Sequence, residues 1–294
     1  MTHPFPIIKH PPTAQCAPIL VSIPHYGTHA LPHITADDYC EPWYTTFPYG
    51  FADTFVGDLY GDLHEYGATI LATPFSRIFV DVNRPRDDFE HDNDVIRSHR
   101  GVVRTHTIRD APIFTQPLSR PALEQRLQTF YDPYHATLQR LLAQIQATYG
   151  YAFLLDSHTG SPRRMKDYQV IIGTRHGTTS HEALVACLEA ILTAHGFEVF
   201  RNISGYSGGN IVRTYGQPHT HQAHAIQLEI NASLLMTTSR QEFIAQVSRG
   251  EVPDKHQENI ARFRSCLQEI IATLPAVLAA LHASMQGRVR RDLF

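Results

Sequence analysis

Three short apolar runs, each ending in polar residues, constrain this chain most. Pro18 to Pro24 (PILVSIP) closes on His25-Tyr26-Gly27-Thr28, and Tyr151 to Leu155 (YAFLL) leads into Asp156-Ser157-His158-Thr159-Gly160. Ala223 to Ile230 (AHAIQLEI) alternates and carries Glu229 near its end. The first two are too short for helices and all three read as strands, so the chain must build a sheet that buries them. Ligands of open α/β sheets collect outside the carboxyl ends of strands, where these polar residues stand.

Helical spacing separates the strands. It predicts helices over Phe51 to Tyr66, with Asp53 in the first turn, over Arg120 to Tyr149 with a kink at Pro133, over His181 to His195, and over Lys255 to Met285 with an interruption at Pro275. Further strands are expected at Ala68 to Thr73, Arg77 to Val82, Gln169 to Ile172 and Glu198 to Arg201. Alternating elements imply an α/β fold, a sheet with helices on both faces. All 294 residues are expected in one domain, with a leader over 1–15 and a long excursion over 86–120 that could wall an active site.

Composition narrows the function. A net charge of -3 without a Lys/Arg run argues against nucleic acid as a partner. Met1 to Pro12 lacks the basic and apolar regions of a signal peptide, and no run approaches ~20 apolar residues, so a cytoplasmic protein without a membrane partner is expected. The 4 cysteines are scattered and read as reduced thiols, while 19 histidines raise the prior for metal or proton chemistry. Oligomeric state is not legible.

His25 and His158 at successive strand ends could converge on one ion, with Asp156 accepting from a ring nitrogen. Either histidine could equally be a strand-end residue bonded to a carbonyl, and Asp156 a turn cap. Catalytic zinc sites usually have three protein ligands, and Asp53 is the chosen third, although aspartate in a first helical turn is also an ordinary stabilising feature. Glu229 in an apolar strand needs a salt-bridge partner or a job, and in metal-assisted hydrolysis the job is general base. Asn83-Arg84-Pro85 and Arg213 suit a substrate carboxylate or an oxyanion, or are structural ion-pair partners. Ser207-Gly208-Gly209-Asn210 reads as a flexible turn. Neither a G-x-S-x-G elbow nor an H-E-x-x-H helix is present.

In order, Pro24-His25-x-Gly27, Asp53, Ser76-Arg77 to Asn83-Arg84-Pro85, Tyr131 to His135 (YDPYH), Asp156-Ser157-His158 and Gln227-Leu228-Glu229 resemble the N-formylglutamate amidohydrolase family over residues 18 to about 236. The resemblance implies a three-layer mixed sheet similar to zinc carboxypeptidases and phosphorylase-type hydrolases. It implies zinc on His25, Asp53 and His158, Glu229 as the catalytic glutamate, and Asn83, Arg84 and Arg213 as substrate-holding groups. The implied reaction is hydrolysis of N-formyl-L-glutamate to formate and L-glutamate, a late step in one route of histidine degradation. Arg84 would steady the oxyanion and Arg213 or His224 would hold the carboxylate of a small acidic N-acyl amino acid. Tyr26, Thr159 and the missing Trp-His pair after Asp53 depart from the family pattern. A carboxypeptidase-like or aspartoacylase-like hydrolase on another N-acyl amino acid or peptide, and a non-catalytic carboxylate-binding protein, are the alternatives.

Overall fold

The apolar runs become strands because each can bury both faces of its pleat. The computed structural model describes residues 5–220 and 222–291, so residues 1–4 of the leader lie outside the described residues. Its strands are β1 (Ile7–Lys9), β2 (Ile19–Ile23), β3 (Thr69–Ala72), β4 (His91–Asp92), β5 (Val95–Ile96), β6 (Leu118–Ser119), β7 (Ala152–Gly160), β8 (Val170–Gly173), β9 (Val199–Arg201) and β10 (Ala223–Asn231). A seven-stranded mixed sheet runs β1-β3-β2-β7-β10-β8-β9. Strands β3, β2, β7 and β10 are parallel neighbours, whereas β1 and β8 run antiparallel to β3 and β10.

Successive side chains of a strand point to opposite faces, and the two faces have separate cores. Ile19, Val21, Ile23, Phe153, Leu155, Ile226 and Leu228 pack with the helices Val56–Tyr60, Glu182–Ala194 and Gln257–Arg291. Leu20, Leu154 and Ala225 pack on the other side with Asp132–Tyr149 and Asn210–Tyr215. Helices therefore cover both faces, as the alternation predicts. Because β2, β7 and β10 are parallel, their carboxyl ends share one edge, where His25, His158 and Glu229 meet.

Several local expectations are corrected. Arg77 to Val82 is not a strand but an irregular buried segment, with Asp81 N–H donating to the Val102 carbonyl at 2.8 Å and Arg104 N–H to the Ile78 carbonyl at 3.0 Å. Its apolar residues report burial, which it reaches by pairing with the excursion instead of the sheet. The helix expected over Phe51 to Tyr66 is three pieces, Phe47–Phe51, Val56–Tyr60 and a 3-10 turn Leu63–Tyr66, with Phe55 left-handed at φ 55°. Asp53 consequently sits in the loop before a helix, not in its first turn. The leader contributes the edge strand β1. Strand β7 extends past Leu155 to Gly160, so Asp156 and His158 are strand residues. The irregularity expected near Pro133 is a π-turn over Leu127–Tyr131, while the last helix continues through Pro275. That helix is long and apolar enough to cross a membrane by length and composition, with mean hydropathy 1.5, yet its Ile260, Phe263, Leu267, Ile271 and Leu274 stripe is buried against the sheet.

Candidate active site and metal centre

Strand alternation puts Asp156 and His158 on one face of β7, and Gln227 and Glu229 on the same face of the adjacent β10, with Glu229 in register with His158. His25 enters just past β2. Asp53 is brought in by its loop, whose backbone is tied to both strands: Asp53 N–H donates to the His25 carbonyl at 3.0 Å, and Thr159 Oγ1 donates to the Thr54 carbonyl at 2.8 Å. Those tethers pull the segment out of the helical path its apolar spacing suggests.

Two imidazoles and a carboxylate converge. His25 Nδ1 and His158 Nδ1 lie 3.1 Å apart, and Asp53 Oδ2 is 2.9 Å from the second and 3.7 Å from the first. Each remaining ring nitrogen faces a buried acid, His25 Nε2 at 2.8 Å from Asp81 Oδ1 and His158 Nε2 at 3.1 Å from Asp156 Oδ2. This fits a divalent metal: three donors of the right type, spaced near the edge of roughly 3.3 Å that bonds of about 2.0–2.1 Å would give, with rings oriented by carboxylates. The charge balance agrees, since Asp53, Asp81, Asp156 and Glu229 crowd a region in which Arg77 is the nearest guanidinium.

The electrostatics follow from burial against these partners. Burial would raise the Asp53 carboxyl, but the His25 charge and the His158 hydrogen bond hold it well below the usual carboxylate range. Burial would lower His158, yet the charges of Asp156 and Glu229 hold it well above the usual imidazole value. Glu229 is pushed up to about 7 by burial, opposed by His158 and reinforced by Asp53. Gln227 Nε2 donates to Glu229 Oε1 at 2.6 Å, orienting the carboxylate and leaving Gln227 Oε1 buried without a partner among the described residues.

The cluster forms the floor of a cavity of about 910 Å³ that also reaches Arg84, Arg213 and Asp88. Arg84 lies 3.9 Å from Asp81 and 3.8 Å from Asp88, and Arg213 donates to Asn210 Oδ1 at 2.8 Å. Asn83 lines the cavity too, but both ends of its amide are engaged: Nδ2 donates to Asp156 Oδ2 at 2.9 Å and Oδ1 accepts from Ile211 N–H at 2.9 Å. His224 is not brought to the site. It is on the opposite face of β10, near the far end of the strand, and accepts from His181 N–H at 3.2 Å. The glycine-rich stretch at 207–210 is not simply a flexible turn, because a Cβ on Gly209 would stand 2.8 Å from Asn83 Oδ1.

Residue-level reasoning passed over Arg77 and Asp81. Arg77 Nε donates to Asp81 Oδ2 at 3.0 Å and Nη1 to His25 Nδ1 at 2.9 Å. The signal was available: Asp81 is an acid inside an apolar run, the same feature that singled out Glu229. The excursion does wall the cavity, contributing Asp87, Asp88, Arg104 and Ile108.

The sequence profile of the N-formylglutamate amidohydrolase family matches residues 17–236, a span that contains every residue of this floor. The chain belongs to the N-formylglutamate amidohydrolase family. Two N-formylglutamate deformylases are similar to it. That of Pseudomonas aeruginosa is 34% identical over 228 residues, 72% of this chain and 80% of its own length. That of Pseudomonas putida is 30% identical over 230 residues, 74% of this chain and 82% of its own length. The crystal structure of N-formylglutamate amidohydrolase from Ralstonia eutropha JMP134 shares the fold at TM-score 0.73 and 22% identity, covering 93% of this chain and 97% of that one. A protein of Agrobacterium tumefaciens shares it at TM-score 0.60 and 17% identity, covering 91% and 93%. Both structures cover nearly the full length of this chain.

Proposed function

We propose that this chain is a zinc-dependent amidohydrolase of the cytoplasm, one domain that hydrolyses N-formyl-L-glutamate to formate and L-glutamate. The observation that carries the reading is the convergence of His25 Nδ1, His158 Nδ1 and Asp53 Oδ2 with Glu229 one strand away in the same cavity. The names of the two Pseudomonas relatives support the substrate. His25, Asp53 and His158 would hold the ion, which when bound supplies Lewis-acid polarisation of the carbonyl and a more acidic water.

Glu229, held by Gln227, takes a proton from the attacking water as its oxygen bonds to the formyl carbon. The oxyanion role expected of Arg84 fits Arg77 better, because Arg77 reaches His25 Nδ1 while Arg84 is half-exposed between Asp81 and Asp88. Arg84 and Arg213 then serve the substrate's α-carboxylate. Glu229 returns its proton to the amide nitrogen, the C–N bond breaks, and formate and the free amine leave. Asn83 holds Asp156, and through it His158, in place instead of touching substrate.

The test is formate release from N-formyl-L-glutamate by protein purified without chelator, beside a sample stripped of metal and resupplied with zinc. Release that is lost on stripping and restored by zinc is the expected result. No release from protein that binds zinc tightly refutes the substrate and directs attention to other N-acyl amino acids.

A further inference from the structure

The arginines of the cavity sort by partner. Arg77 is locked onto Asp81, and Arg84 lies between Asp81 and Asp88. Arg240 donates to Thr54 Oγ1 at 2.6 Å and to the Gly50 carbonyl at 2.7 Å, bracing the loop that carries Asp53. Arg213 donates to Asn210 Oδ1 at 2.8 Å and Arg175 to the Gly208 carbonyl at 3.3 Å, and Arg104 and Arg164 line the same cavity with them.

Arg104 comes from the excursion and is largely buried. Its guanidinium lies 4.5 Å from the centre of the Phe51 ring and donates to the His99 carbonyl at 3.0 Å, with no ion pair among the described residues. Burial, followed by the charge of Arg77, lowers it to about 10, with Asp81 opposing the shift and Arg84 and Arg164 adding to it. Arg164 stands in the short helix Pro162–Met165 that follows β7, exposed, and its guanidinium has neither hydrogen bond nor ion pair among the described residues. A half-buried cation among three other arginines, opposed only by an Asp81 already paired with Arg77, is costly unless a further anion arrives.

We infer that Arg104 and Arg164 form a subsite for a second carboxylate, the one on the substrate side chain away from the scissile amide, and so select an N-formyl amino acid with an acidic side chain. The inference rests on the proposed deformylase reading, which already assigns the α-carboxylate to Arg84 and Arg213. Arginine's planar fork meets a carboxylate through two parallel hydrogen bonds, and an uncharged side chain would leave these guanidiniums unpaired. A site built for one polar group discriminates strongly against an analogue without it.

The experiment compares N-formyl-L-glutamate with N-formyl-L-glutamine, which has nearly the same shape and a neutral side chain, in wild type, Arg104→Gln and Arg164→Gln. The kcat/KM ratio of glutamate over glutamine substrate is expected to fall by about 10- to 150-fold in Arg104→Gln, mainly through KM, and less in Arg164→Gln. Arg164 is exposed, so its variant reads the subsite even if Arg104→Gln misfolds. An unmoved ratio in folded Arg104→Gln, or in Arg164→Gln if Arg104→Gln misfolds, overturns the inference. Calorimetric binding of L-glutamate against L-glutamine reads the subsite without turnover. If wild type releases no formate but prefers L-glutamate in an Arg104-dependent way, the deformylase reading has failed and the subsite stands; equal binding of the two overturns the subsite.

Discussion

At the floor of the cavity each ring nitrogen of His25 and His158 has a partner between 2.8 and 3.1 Å, whereas on the rim Arg104 and Arg164 meet no acid among the described residues. The floor stands on the carboxyl ends of parallel strands buried over their whole length, and the rim stands on the excursion and on loops after β7 and β8. The contrast separates two kinds of work. On the proposed reading, the groups that keep one geometry through the reaction are held by the sheet ends and by segments tied to them, while the groups that would read the ligand await its charges.

The largest break in that contrast should come from Glu229→Gln, which keeps the shape of the floor and removes the proposed base. We expect kcat to fall by about 10²- to 10⁴-fold with zinc content unchanged, measured by formate release beside metal analysis. Near-normal turnover would remove Glu229 from the mechanism. Next in size, Asp81→Asn and Asp156→Asn should each weaken zinc binding by about 10- to 100-fold, read by competition with a chelator of known affinity. Unchanged affinity in both would mean that the floor does not orient its histidines.

Gly209→Ala sharpens the comparison at the border between floor and rim. Its Cβ would stand 2.8 Å from Asn83 Oδ1 and 2.9 Å from Asn83 Nδ2, so Asn83 must move off Asp156. A stability loss of about 1–3 kcal/mol is expected in denaturant titration, and wild-type stability would show the loop to be as adaptable as its sequence suggests. The smallest effect belongs to Arg213→Gln on the exposed rim, with KM for N-formyl-L-glutamate raised about two- to fivefold and kcat retained. A loss of kcat there would move Arg213 from the rim to the reacting centre.

His25, His158 and Glu229 were legible as candidates because a polar residue after or within an apolar strand has few inexpensive positions, and Asp53 only as the acid chosen to complete a three-ligand set. Arg77 and Asp81 were not, because the segment around them is as apolar as a strand and its burial was mistaken for pairing. His224 illustrates the opposite error: it shares a strand with Glu229, but an odd separation of residues sends the two side chains to opposite faces.

By itself, the sequence determined the layer architecture, the strands of the sheet other than the edge strand β1, and the chemical types gathered at their ends, since apolar periodicity and turn residues act locally and survive in any α/β packing. Tertiary structure alone decided which groups meet. The parallel pairing of β2, β7 and β10 set Glu229 beside His158, the backbone tethers of residues 53 and 54 unwound a helix to deliver Asp53, and the excursion laid Arg104 over the cavity. Such meetings join residues tens to hundreds of positions apart, and their register depends on the packing of the whole core, which no local pattern encodes.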